Sequence, residues 1–340
     1  MDLSALEGAR NPRKLVAAAV LLAITFVMLI IGLAHHPRLF VNNFIGGLVY
    51  GMILAMISVG LALILGLLGV VNFAHGALFM LGAYGAFELV ASQGYSFWAA
   101  LIVVPLAIGV VGVAIEVGVL RHLYGETPII GLLATFGVAL MLEEVSRAQW
   151  GGTPLSFEVP AVLRGSVSVG LVQVTTMRLF TMSVGIVTVI GLYLLIHRTD
   201  FGLTIRAGVQ NQEMAEFIGV DIPRRFTIVF FIGATLAGLA GVLRGGEVGM
   251  DLGMAFEFVL LAFVIVAVGG VGSIFGSVIS AILVGLSVFL APVTFRSLAE
   301  VTGIPGLNIP GIGGFMPFAV LLAVLLIRPR GLFGEEGLME

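Results

Sequence analysis

The chain contains no cysteine, which excludes disulfides, thiolate metal sites and cysteine nucleophiles together. It has one lysine, Lys14, outside any G-x-x-x-x-G-K-[ST] pattern, so it carries no P-loop of its own. If ATP drives it, another subunit must supply the ATPase. Charge of either sign is scarce: Asp, Glu, Lys and Arg make up 10% of 340 residues, against roughly 25% in soluble domains. A chain this poor in charge cannot cover itself with a water-compatible surface. With 59% hydrophobic residues and a mean hydropathy of +1.18, it must be covered by lipid. The net charge of −3 adds nothing, because the charges sit at segment ends. Enzyme signatures are missing too. Histidines 35, 36, 75, 122 and 197 are scattered, with no H-E-x-x-H, no D-x-x-D cluster and no G-x-S-x-G. The reading is a non-enzyme with no catalytic residues, metal, cofactor or nucleic-acid partner.

What is present is a series of long apolar runs. A span takes about 20 apolar residues, and that ruler places ten: 15–34, 44–68, 74–92, 97–119, 128–148, 179–197, 226–243, 254–270, 275–291 and 315–327. The shorter late runs leave eight to ten as the range. The run 15–34 is longer than the ~7–15 residue apolar core of a cleavable signal peptide, so it reads as a retained span. Alternating the spans from a cytoplasmic N-terminus puts ten basic residues inside: Arg10, Arg13, Lys14, Arg121, Arg198, Arg206, Arg224, Arg225, Arg328 and Arg330. Six fall outside: Arg38, Arg147, Arg164, Arg178, Arg244 and Arg296. This bias places both termini, 1–14 and 328–340, and the loop 198–225 in the cytoplasm. The fold class is therefore an all-α polytopic membrane protein of about 8–10 transmembrane helices, in one transmembrane domain over 1–340.

Residues 149–178 form the long external stretch, where the alternation VSVGLVQVTT predicts a small hairpin. Asn308 to Gly314, NIPGIGG, reads as a short helix or turn before the last span. Either feature serves a partner that delivers substrate, or is an ordinary connector. No ionisable residue falls at the middle of a span, where it would cost at least ~2.5–3.5 kcal/mol and mark an ion relay. That weighs against an ion-coupled secondary carrier. Glu116 is expected near an inner end, snorkelling towards the interface beside Arg121.

Glycine pairs such as Gly47-x-x-x-Gly51, and Ala281-x-x-x-Gly285, describe a tightly packed bundle. GGVGSIFG at 269–276 lacks the third glycine and the βαβ setting of a dinucleotide loop, and reads as a tight interhelical turn. Polar residues interrupt the apolar runs at Val71 to Gly76, VNFAHG. Asn72, Phe73 and His75 there line or gate a path. The alternative is that Asn72 caps the next helix and His75 bonds a loop carbonyl.

Arg198 to Arg225 is a polar island between two spans. Inside it, Gln212 to Ile218 reads as a short helix with Asn211 as N-cap, Glu213 in the first turn and Gly219 ending it. Met214, Phe217 and Ile218 recur at i, i+3 and i+4, an apolar face that nothing in its own loop covers. It suits docking on another protein; the alternative is a solvated amphipathic surface helix.

VNFAHGALFMLGAY at 71–84, RAGVQNQEMAEFIGVDIPRR at 206–225 and LAGLAGVLRG at 236–245 resemble permease subunits of branched-chain amino acid ABC importers. AFVIVAVGGVGSIFGSVISAILVG at 262–285 and RPRGLFG at 328–334 match the same family, in the same order, over about 44–334. The smaller of the two permease types is the closer likeness. The resemblance implies a second permease subunit, identical or related, and a pathway at their interface. It also implies two cytoplasmic ATPase subunits that bind the ATP, and a periplasmic or extracellular substrate-binding protein, all around a bacterial inner membrane. On this chain the ATPase-coupling helix falls on Asn211, Gln212, Glu213, Met214, Ala215, Glu216, Phe217, Ile218 and Gly219. The implied cargo is a branched-chain or related amino acid, with urea or short amides as the alternative.

Overall fold

The fold is taken from a computed structural model and is described for residues 25–124, 126–210, 214, 217, 219 and 221–334. Among the described residues, nine apolar helices fall on the nine runs from 44 onward, and a tenth covers the described part of the first run. They are α1 (Thr25–His35), α2 (Pro37–Leu68), α3 (Ala74–Phe87), α4 (Phe97–Gly118), α5 (Pro128–Trp150), α6 (Thr176–Arg198), α8 (Ile222–Val248), α9 (Met254–Gly269), α10 (Ile274–Thr302) and α11 (Ile312–Ile327), with α7 (Asp200–Gln210) in the polar island. Among the described residues, seven are long and apolar enough to cross a membrane; α9 and α11 are shorter, and α1 is described only from Thr25. The chain is thus an all-α polytopic membrane protein.

Local signals set the helix ends. Pro37 and Pro128 open α2 and α5, where a missing N–H costs nothing. Ser96 accepts a hydrogen bond from the Trp98 N–H at 3.2 Å and caps α4. α10 continues to Thr302, eleven residues past the apolar run that ends at 291, because Arg296 and Glu300 lie on it four residues apart and pair.

The predicted hairpin is present: β1 (Ser166–Val169) pairs antiparallel with β2 (Val172–Thr175), Ser166 opposite Thr175. Leu155 and Met250 bridge beside it. This side is called the hairpin end, and the side carrying α7 and the turn 269–273 the loop end. A 3-10 turn, Pro305–Leu307, immediately precedes NIPGIGG, and Ile312 within it begins α11. At 269–273 the expected tight turn is found, with Ser273 Oγ accepting from the Gly276 N–H at 3.0 Å. The RPRGLFG segment closes it, as the N–H groups of Leu332 and Phe333 donate to Val268 and Gly269.

α2 is the central helix. Its most extensive contact is with α10, followed by α8. The α2–α10 seam depends on glycine: a Cβ added at Gly285 would lie 2.5 Å from the Gly47 carbonyl oxygen and 2.7 Å from Gly51 Cα. The pairs read from sequence, Gly47/Gly51 and Ala281/Gly285, therefore meet each other.

Candidate functional site

The first feature is a helix that starts inside the bundle. α2 ends at Gly69 in the left-handed region, φ 64°. The chain then runs without helix through Val70 to Phe73 before α3 begins. His75 Nε2 lies 2.9 Å from the carbonyl oxygen of Ile57, which sits eleven residues before the last residue of α2. Eleven residues of helix span about 16 Å, so the non-helical segment turns back alongside α2 and α3 begins partway along it. Irregular backbone at such depth must be served by protein. Thr135 of α5 does this, accepting from the Phe73 N–H at 3.2 Å and donating to the Val71 carbonyl at 3.1 Å. Sequence reasoning missed Thr135; a lone hydroxyl in an apolar run was its only signal.

Two expectations need correcting here. Asn72 does not cap α3: Phe73 holds the N-cap position, with no side-chain cap bond, and neither atom of the buried Asn72 amide has a hydrogen-bond partner among the described residues. His75 bonds a helix carbonyl rather than a loop carbonyl, because Gly60 leaves it room. A Cβ at Gly60 would lie 3.2 Å from His75 Cε1. Both Asn72 and His75 are fully buried.

Phe73 is placed differently. It lines a shallow groove with Phe136, Ala139, Leu140 and Glu143 of α5 and Ala255, Phe256 and Val259 of α9. Its ring meets those of Phe136 at 5.8 Å and Phe263 at 5.2 Å. Phe73 thus forms part of the groove surface, with Asn72 and His75 immediately behind it in the chain.

The second feature lies at the loop end. Glu116 does not snorkel; it is fully buried and surrounded by donors. Arg121 donates from Nε and Nη2 at 3.2 and 3.0 Å, Tyr124 from its hydroxyl at 3.0 Å, and Thr227 of α8 from Oγ1 at 2.9 Å. The Tyr124 hydroxyl is held well above its usual pKa, first by burial and then by the charge of Glu116. Donors from Arg121, Tyr124 and Thr227 satisfy this carboxylate, which is why it stays inside. Tyr124 also packs edge-on against Phe226 at 5.4 Å, beside Ile222 and Leu67. Asp221 Oδ1 accepts from the Arg224 N–H at 3.1 Å and caps α8.

The polar island lies between these anchored parts. Of the coupling residues, Asn211, Gln212, Glu213, Ala215, Glu216 and Ile218 lie outside the described residues. Met214 and Phe217 are helical and exposed, Phe217 to 84%. Gly219 follows in a turn with φ 89°, as a helix-ending glycine does.

The chain resembles known permeases over most of its length. It is 27% identical to the high-affinity branched-chain amino acid transport system permease protein BraD of Pseudomonas aeruginosa, covering 87% of this chain and 96% of that protein. It is 26% identical to the corresponding LivH protein of Escherichia coli, with the same coverage. Against the probable branched-chain amino acid transport permease protein LivH of Methanocaldococcus jannaschii it is 28% identical, over 86% of this chain and 91% of that one. No solved structure matches it significantly. The family model described as "Branched-chain amino acid transport system / permease component" matches residues 43–325, and the chain belongs to that family.

Proposed function

We propose that this chain is the membrane-spanning permease subunit of an ATP-driven importer that carries branched-chain amino acids across a bacterial inner membrane. It works with a second permease subunit, identical or related, two ATPase subunits on the cytoplasmic side and a substrate-binding protein on the other. ATP is bound and hydrolysed by the partner ATPases. The observation that carries this reading is Phe217, a large apolar side chain 84% exposed on a short helical segment between α7 and α8. A water-facing helix gains nothing from such a residue, whereas a docking surface does. The relatives' names supply the cargo.

The ATPase acts on the permease as a differential affinity for two conformations. Met214 and Phe217 receive the push, and α8, anchored by Asp221 and by Thr227 on Glu116, carries it to the bundle. The groove at Phe73 belongs to the path or its gate, facing the second permease. Glu116 and its donors keep α4 and α8 moving as one body.

The test is uptake by cells carrying the complete importer, offered radiolabelled leucine, isoleucine, valine and urea in turn. ATP-dependent accumulation of the three amino acids is expected. Accumulation of urea alone would give the alternative cargo and overturn this one.

A further inference from the structure

The hairpin of β1 and β2 has two unlike faces. Its register sets Val167 opposite Val174 and Val169 opposite Val172, while Ser166 lies opposite Thr175 and Ser168 opposite Gln173. Directly opposed residues of an antiparallel pair share a face, and neighbours along a strand alternate between faces. One face is therefore four valines and the other four uncharged polar residues. Gln173 Nε2 donates to Ser168 Oγ at 2.9 Å across the polar face. Leu171 stands in the turn at the tip.

The valine face is the one turned towards the helix ends, because Val174 is 1% exposed and β2 packs against α2. The base of the hairpin is fixed at the same level. The N–H of Thr176, the first residue of α6, donates to the Gly165 carbonyl at 2.9 Å. Yet Val167 is 47% exposed, Val169 38% and Leu171 60%. The valine face thus meets the bundle at Val174 and overhangs it towards the tip, where no described residue covers it.

Beneath an overhang at the end of a membrane-spanning helix lies bilayer. α6, which carries the base, is such a helix and exposes Ile186, Val187 and Ile190 along its length. Charge supports the same occupant, since residues 165–177 contain no ionisable side chain. A soluble partner that comes and goes would leave three large apolar residues in water between visits and would find no charge to dock on. A headgroup layer covers the apolar face and keeps the polar one wet. The outer edges of both strands also carry backbone N–H and C=O groups that hydrocarbon would leave unpaired. The hairpin therefore rests in the interface and stays out of the membrane core.

We propose that the β1–β2 hairpin is an interfacial anchor whose partner is the lipid surface. Val167, Val169 and Leu171 insert among the headgroups and upper acyl chains, and Ser166, Ser168, Gln173 and Thr175 face water. The anchor holds the start of α6 at one depth in the bilayer, whatever solute the bundle carries.

The absence of cysteine supplies the test. The full-length permease, with its partner permease where one is required, carries Val167→Cys, Val169→Cys, Leu171→Cys, Ser168→Cys or Gln173→Cys one at a time. Each thiol is labelled with a nitroxide, and the protein is reconstituted into phosphatidylethanolamine–phosphatidylglycerol liposomes. Collision with oxygen reports lipid, and collision with a water-soluble nickel chelate reports water. Labels at 167, 169 and 171 should favour oxygen and lie about 5–10 Å into the headgroup–acyl boundary. Labels at 168 and 173 should favour the chelate. The alternation is the readout, and the same accessibility at all five positions would refute the two-faced placement. Apolar-face labels that favour the chelate would put the hairpin in water and refute the anchor. Labels shielded from both probes would make protein the occupant: the second permease if shielding is constant, the binding protein if it appears only on its addition. Each of these results overturns the anchor and leaves the importer reading standing.

Discussion

Arg121 closes on Glu116 with two nitrogens, at 3.2 and 3.0 Å, and holds a wholly buried carboxylate at the loop end of the bundle. Tyr124 and Thr227 complete its shell, so one side chain of α4 joins the turn after it to the start of α8. Removing either hydroxyl leaves a buried charge short of a donor. Tyr124→Phe and Thr227→Val should each lower stability by about 1–2 kcal/mol. The double variant should depart from their sum, because both serve one acceptor. Arg164→Ala, which breaks the exposed pair with Glu158, should leave the unfolding temperature unchanged. Thermal unfolding of the detergent-purified permease measures all four. Equal effects at Tyr124 and Arg164 would contradict the shell.

Helix approach gives a second prediction. A Cβ at Gly76 would lie 2.0 Å from the Ala255 carbonyl oxygen, and one at Gly241 2.0 Å from that of Phe79. Backbone cannot yield as a flexible side chain does, so Gly76→Ala and Gly241→Ala should each force α3 from its neighbour and cost about 3 kcal/mol or more. Gly137→Ala, with nothing within 4 Å, should be neutral or slightly stabilising. The yield of folded protein and its melting temperature separate these outcomes.

Asn72 carries a buried amide with both polar atoms unpaired among the described residues. An orphaned group of this kind costs about 1–3 kcal/mol. Asn72→Leu, close in shape, should therefore raise stability by about 1 kcal/mol while uptake falls, if the amide finds its partners in another conformation of the transport cycle. Stability and uptake rising together would argue that the amide has no such role.

At the polar island, Met214→Glu and Phe217→Glu should abolish ATPase co-purification and uptake and leave membrane abundance unchanged. Both side chains are exposed. Retention of the ATPase by the doubly substituted permease would remove this segment from the docking surface.

Much of this molecule is readable from the order of its residues. The nine apolar runs from 44 onward return as apolar helices among the described residues, and the hairpin and the turn at 269–273 fall where alternation and glycine place them. The helix α7 was not legible: its glycines and charges read as loop, whereas the Thr199 hydroxyl, accepting from the Gly202 N–H at 3.3 Å, helps to start it. The polar break at Asn72 was visible, but its depth was not. Hydropathy gives the length of a run, not the point on a neighbouring helix where the next one begins. Glu116 was misread as snorkelling because Thr227, 111 residues away, becomes its partner only on folding.

The central claim is that this chain conducts solute but does not drive it. Reconstituting the purified permease into liposomes, with and without its ATPases and binding protein, and following radiolabelled leucine against its gradient tests that claim directly. Accumulation only with the complete set and ATP is the predicted result. Uphill uptake by the permease alone would contradict it.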